Sequence, residues 1–136
     1  GIIDFQDSIV GPVSLDLVSL LKDLYYPLSI EQRNKYIEFY FNEALNKNIL
    51  DGITFEEFQE WFEWSGIQRQ LRILGTLSRL YLRDKKEHRL LDLEITLDYL
   101  IESTKILGKE SLTMGPFHVY LKSIKPKLKS FLESFK

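Results

Sequence analysis

The sequence predicts one all-helical domain with a single short strand at its front edge. Three observations carry this. Apolar residues recur at helical spacing through most of the chain. Two N-terminal capping boxes stand at Ser29 and Thr54. The strand-like run, Ile2-Ile3, is β-branched, sits at the very start and stops at polar residues. A chain of 136 residues, 44% hydrophobic and 28% charged, suits one compact domain and argues against disorder.

Gly1 to Phe5 reads as the end of a buried strand, and Asp7 to Pro12 as a loop punctuated by Gly11-Pro12. A first helix is expected from Ser14, as its N-cap, to about Tyr25, with Pro27 as the stop. Its apolar positions Leu15, Leu17, Val18, Leu20, Leu21 and Leu24 wrap more than one face, which predicts burial on most sides. The second helix opens with the Ser29/Gln32 capping box and runs to about Ile49, and Asp51-Gly52 is a turn. Thr54 and Glu57 open a third, to about Arg83, which would reach roughly 45 Å if unbroken. Ser65-Gly66 is its expected kink, since Gly inside a helix costs up to ~1 kcal/mol against Ala. A fourth helix spans Asp92 to Leu107 and ends at Gly108. The fifth is expected after Gly115, with Pro116 at its first helical position and a bend or restart at Lys125-Pro126. Leu128, Phe131, Leu132 and Phe135 form its apolar stripe.

A strand of about four residues without a partner cannot satisfy its backbone N–H and C=O groups. Residues 1–136 therefore read as the C-terminal helical part of a larger fold. A face exposed by the missing part would be apolar and would invite self-association.

Composition removes several function classes. Without cysteine there is no disulfide framework, thiolate zinc site or cysteine nucleophile. His88 and His118 are too far apart in sequence for a histidine-rich metal cluster. No stretch approaches the ~20 apolar residues of a membrane span, so no membrane partner is expected. No signal-peptide pattern is present, and the expected location is the cytoplasm. The net charge of −2 hides a skew, with seven Lys against two Glu from Ser103 onward. That basic tail lacks the interleaved aromatic residues of a nucleic-acid platform and reads as a solvated helical face, so no nucleic-acid partner is expected.

The chemistry is sought in the acidic remainder. Asp4, at the end of a strand and entering a loop, fits either a hard-cation ligand beside phosphate oxygens or a loop cap. Asp16, in an otherwise apolar first turn, fits a helix-dipole partner or an anchor accepting backbone N–H bonds. Gln68, Arg69, Arg72 and Arg79 recur on the long helix, suited either to a sugar or phosphate pocket or to pairing with Glu and Asp on neighbouring helices. Trp61 and Trp64, with Tyr25 and Tyr26, suit either stacking on a sugar face or the core.

Asp4-Phe5-Gln6-Asp7, then Gly11-Pro12, then Asp16-Leu17-Val18-Ser19-Leu20-Leu21 resemble the metal-binding segment of the aminoglycoside phosphotransferase and choline kinase family. Phe62, Gly66-Ile67-Gln68-Arg69, Leu71-Arg72, Gly75, Arg79-Leu80 and Arg83-Asp84 are similar to the branch of bacterial cell-wall amino-sugar kinases. The resemblance covers about residues 1–101. It implies the helical C-lobe subdomain of a protein-kinase-like fold, in which a complete protein uses ATP and magnesium to phosphorylate the anomeric hydroxyl of N-acetylmuramate or N-acetylglucosamine. It implies that Asp4 is the magnesium ligand bridging ATP phosphates, Asp7 a weaker outer contact to the metal, and Asp16 the anchor of the catalytic loop. Beside the resemblance, Gln68, Arg69, Arg72 and Trp64 on the long helix are the candidates for a sugar pocket.

Phosphoryl transfer in such kinases also needs a Gly-rich phosphate loop, an ATP-anchoring Lys and a His-x-Asp catalytic loop. None of these is in the sequence: Leu90 and Tyr120 stand two residues after the two histidines. The 136 residues alone are expected to be inactive and to bind no cofactor. The alternative expectation is a noncatalytic helical binding module using the basic tail.

Overall fold

The computed structural model describes residues 10–109 and 111–135. The strand expected at residues 1–5 lies outside them. Among the described residues the chain is all helical: α1 is Leu15–Leu21, α2 Ile30–Asn46, α3 Phe55–Leu82, α4 Asp92–Leu107 and α5 Met114–Glu133.

Helix α1 ends one turn before the expected stop. Lys22 leaves the helical conformation, and the Asp23 carboxylate accepts the backbone N–H groups of Tyr25 and Tyr26 at 3.1 and 3.0 Å. That side-chain turn offers the backbone an alternative to another helical turn. Ser14 occupies the N-cap position without capping: its hydroxyl lies 2.8 Å from Ser65 Oγ and donates to the Trp61 carbonyl at 3.2 Å. A tertiary contact outcompetes the local one. Burial on most sides is also not what forms, because Leu17, Val18 and Leu21 are buried while Leu20 is 69% exposed.

Helix α2 carries the expected capping box at Ser29 and Gln32. It stops at Asn46, earlier than Ile49, because Asn48 turns left-handed (φ 54°) and the N–H groups of Ile49 and Leu50 return to the Ala44 carbonyl. Asn is one of the few residues that accept this conformation at low cost. Helix α3 has its box at Thr54 and Glu57 and runs 28 residues, about 42 Å. It passes through Ser65-Gly66 without a break. Gly66 permits a close approach: a Cβ there would lie 3.2 Å from Lys22 Nζ and 3.5 Å from Ser103 Oγ.

Helix α4 has the expected bounds, with Gly108 as its C-cap. Helix α5 begins at Met114, which puts Pro116 third, still in the first turn where no N–H is needed. It also continues through Pro126 without the restart that was one of the two expected outcomes there, a bend being the other. The carbonyl deprived of its partner belongs to Lys122, and both residues are exposed to water.

Helix α3 is the spine. Its N-terminal half packs on α1 and α2, burying Leu17, Val18, Leu21, Ile37, Phe41, Ala44, Leu50, Phe58 and Phe62 in one cluster. Its C-terminal half packs on α4, which in turn packs on α5. Ile67, Leu97, Leu100, Leu107 and Leu121 form one cluster there, and Leu77, Leu90, Leu93 and Leu132 another. Tyr81, Phe131 and Phe135 close that end edge to face.

Between the two halves lies a polar layer. Lys22, fully buried, donates from Nζ to Glu63 at 2.6 Å and to Ser103 Oγ at 2.7 Å, 5.1 Å from the centre of the Phe62 ring. Arg33 pairs with Glu102, donates to the Leu28 carbonyl at 2.6 Å and lies over the Tyr99 ring. Tyr99 donates to the Asp23 carbonyl at 3.0 Å. Outside, Leu20, Tyr26, Tyr36 and Phe39 are exposed and line an apolar groove of about 480 Å³.

Candidate functional site

The early end of α1 turns the backbone at Lys22 so that its carbonyl faces α3. Arg69 Nη1 and Gln70 Nε2 donate to that carbonyl at 3.2 and 3.3 Å, and Arg69 Nε donates to Ser19 Oγ at 3.1 Å. These bonds hold the Arg69 guanidinium against the corner where α1 meets α3. Gln70 is fully buried, and its Oε1 has no hydrogen-bond partner among the described residues.

Beside this corner opens a cavity of about 430 Å³. Arg69, Arg72, Thr76, Asp23, Tyr25 and Arg89 supply its polar lining, and Leu24, Ile73, Leu77 and Leu80 the apolar part. The 23–25 turn brings Asp23 and Tyr25, and the segment before α4 brings Arg89. Arg89 pairs with Asp92, donates to Tyr25 Oη at 2.5 Å and lies 4.9 Å from the centre of the Tyr25 ring. Burial lowers the pKa of Arg69 below the ordinary arginine value, opposed by Asp23 and reinforced by Arg72. The bond to Asp92 raises that of Arg89. The arrangement presents guanidinium N–H donors and one carboxylate over an apolar floor, suited to a polar ligand of modest size.

The sequence-predicted site residues separate. Arg69 and Arg72 meet in this cavity. Gln68 is exposed and lies outside it. Trp64, 41% exposed, donates to Glu60 at 3.1 Å and lines a different, acidic depression with Glu56, Glu57 and Glu60. Asp16 is exposed in the first turn of α1, its carboxylate making no hydrogen bond to a described residue. Asp4 and Asp7 lie outside the described residues. Among the described residues no group of three or more His, Cys, Asp or Glu side chains gathers to hold a metal ion. Sequence reasoning missed Asp23 and Arg89. Arg89 and Asp92 are three residues apart, a signal for their pairing but not for the cavity.

About three quarters of the chain is similar to kinases of amino sugars. The relatives carry the name N-acetylmuramate/N-acetylglucosamine kinase: one from Neisseria meningitidis is 39% identical over 100 residues, 74% of this chain. Those of Pseudomonas putida and Pseudomonas aeruginosa are 30% and 31% identical over 102 and 100 residues, 75% and 74% of it. The chain spans about 30% of the length of each of these curated relatives. No family model and no solved structure matches it. No helix among the described residues is long and apolar enough to cross a membrane.

Proposed function

We propose that this chain is part of an ATP-dependent phosphotransferase that phosphorylates an amino sugar, and that the arginine-lined cavity beside α3 belongs to its acceptor side. The observation that carries the reading is the 39% identity over 100 residues with the N-acetylmuramate/N-acetylglucosamine kinase of Neisseria meningitidis. The cavity supports it: a 430 Å³ hollow with polar groups converging over apolar walls has the size and chemistry of a sugar site.

In this reading the fold is the helical C-lobe subdomain of a protein-kinase-like enzyme related to the aminoglycoside phosphotransferases. Magnesium, when bound, would neutralise charge on the phosphates of ATP, and Asp4 is the side chain of this chain that would hold it, with Asp7 nearby. Asp16, exposed at the head of α1, would accept N–H groups of a catalytic loop supplied by the rest of the parent protein. An Asp on that loop would orient the acceptor hydroxyl for in-line transfer. The apolar groove of Leu20, Tyr26, Tyr36 and Phe39 is where the remainder of the parent packs. The 136 residues alone are then inactive, and the parent acts in the cytoplasm, where ATP is supplied.

The test is made in the parent protein. Asp4→Asn should abolish sugar phosphorylation while the far-UV circular dichroism stays that of the helical fold. Near-normal turnover in that variant, or sugar phosphorylation by residues 1–136 alone, contradicts the assignment.

A further inference from the structure

We infer that the cavity at the α1–α3 corner is an anion subsite and that, within the amino-sugar kinase reading on which this rests, it takes the carboxylate of N-acetylmuramate. The argument is one of unspent charge. Arg89 is committed to Asp92 and Tyr25. Arg69 spends Nε and Nη1 on Ser19 and the Lys22 carbonyl, which leaves Nη2 without a partner among the described residues. Arg72 stands one helical turn further along the same face, exposed, with no ion pair among the described residues. Against these two guanidiniums the cavity sets one carboxylate, Asp23, which already accepts two backbone N–H groups.

Two neighbouring cations on one wall repel each other; burial does most to lower the pKa of Arg69, Asp23 opposes it, and Arg72 adds to the lowering. An anion between them relieves that repulsion, and a planar carboxylate matches a guanidinium edge with two parallel hydrogen bonds. The two sugars named for the relatives differ in this group: N-acetylmuramate is N-acetylglucosamine bearing a lactyl ether that ends in a carboxylate. A neutral hydroxyl would leave the excess charge unanswered. Arg69 is therefore the preset half of the subsite and Arg72 the half that closes on the ligand, which makes Arg72 a specificity-determining residue. A phosphate shares the chemistry, and the experiment separates the two.

The parent protein is assayed with each sugar as wild type and as Arg72→Gln, with Lys125→Gln, on α5 and outside the cavity lining, as the control. Arg72→Gln should lower kcat/KM for N-acetylmuramate about tenfold more than for N-acetylglucosamine, the lower end of what one charge-assisted hydrogen bond contributes. The loss should appear in KM, with the melting temperature unchanged because Arg72 is exposed. Lys125→Gln should leave the ratio between the sugars alone. Equal losses on both sugars, or none, overturn the carboxylate assignment. So does weakened inhibition by the phosphorylated product with an unchanged sugar ratio, which gives the subsite to phosphate. A wild-type parent that phosphorylates neither sugar overturns the kinase reading itself and this assignment with it.

Discussion

Replacing Lys22 by Met should destabilise the protein more than any other single lysine substitution. The Lys22–Glu63 and Lys125–Asp98 pairs are equally close, at 2.6 and 2.5 Å, but differ in burial. The side chains of Lys22 and Glu63 are 0% and 8% exposed; those of Lys125 and Asp98 are 40% and 46% exposed. Removing one member of a buried pair strands the other charge without solvent, a loss of about 3–5 kcal/mol. Breaking an exposed pair costs about 0–1 kcal/mol. With roughly 2.1 cal/mol/K of unfolding entropy per residue, Lys22→Met should lower Tm by about 10–17 °C. Lys125→Met should lower it by no more than about 4 °C by the same conversion. Removing both charges, as in Lys22→Met with Glu63→Leu, should recover most of the loss, because apolar replacements of a buried pair are often neutral. Urea and thermal unfolding followed by far-UV circular dichroism measure all three. If Lys22→Met costs no more than Lys125→Met, the buried pair carries no weight and the reasoning fails.

Three further outcomes are expected. Gly66→Ala should destabilise by about 1–2 kcal/mol despite the better helix propensity of Ala, because its Cβ would press on an ammonium pinned by two hydrogen bonds; a gain in urea midpoint would refute this. Burial raises the phenol pKa of Tyr99, so its contribution is whole below the unfolded value of about 10 and is lost as pH rises through the folded one. Tyr99→Phe should cost about 1 kcal/mol at neutral pH and flatten the fall in stability between about pH 9 and 11, read from urea unfolding across that range. Residues 1–136 should self-associate through the apolar groove, and Phe39→Glu should restore the 16.1 kDa monomer in sedimentation equilibrium. A wild-type chain that stays monomeric at every concentration counts against that face as an interface.

The helices and two of their caps were legible because their causes are local. Ser29 with Gln32, and Thr54 with Glu57, lie three residues apart and form the boxes that spacing predicts. What was not legible has a distant cause. Ser14 abandons its cap for Ser65, fifty-one positions away, and Gly66 is explained by an ammonium forty-four positions before it. Helix α5 continues through Pro126, where both the proline and Lys122, four residues before it, are exposed, which no periodicity reveals. At the site, Arg69 and Arg72 could be read together since one helical turn separates them. Asp23 and Arg89 come from turns, and only packing brings them to the same hollow. Gln68, one residue from Arg69 and four from Arg72, is exposed outside the hollow, and Trp64 lines a different depression.

Among the described residues the backbones of α1 and α2 do not pack on that of α4. Besides their shared spine, the two halves are joined by side-chain tethers: Lys22 to Ser103, Arg33 to Glu102, and Tyr99 back to the Asp23 carbonyl. Rocking of one half against the other must stretch these polar links, which have narrow angular tolerance, whereas greasy surfaces slide. A long shaft clasped at each end and locked midway by ammonium, guanidinium and phenol therefore resists twisting, and Arg69 is fastened to the backbone of the same lysine that forms the lock.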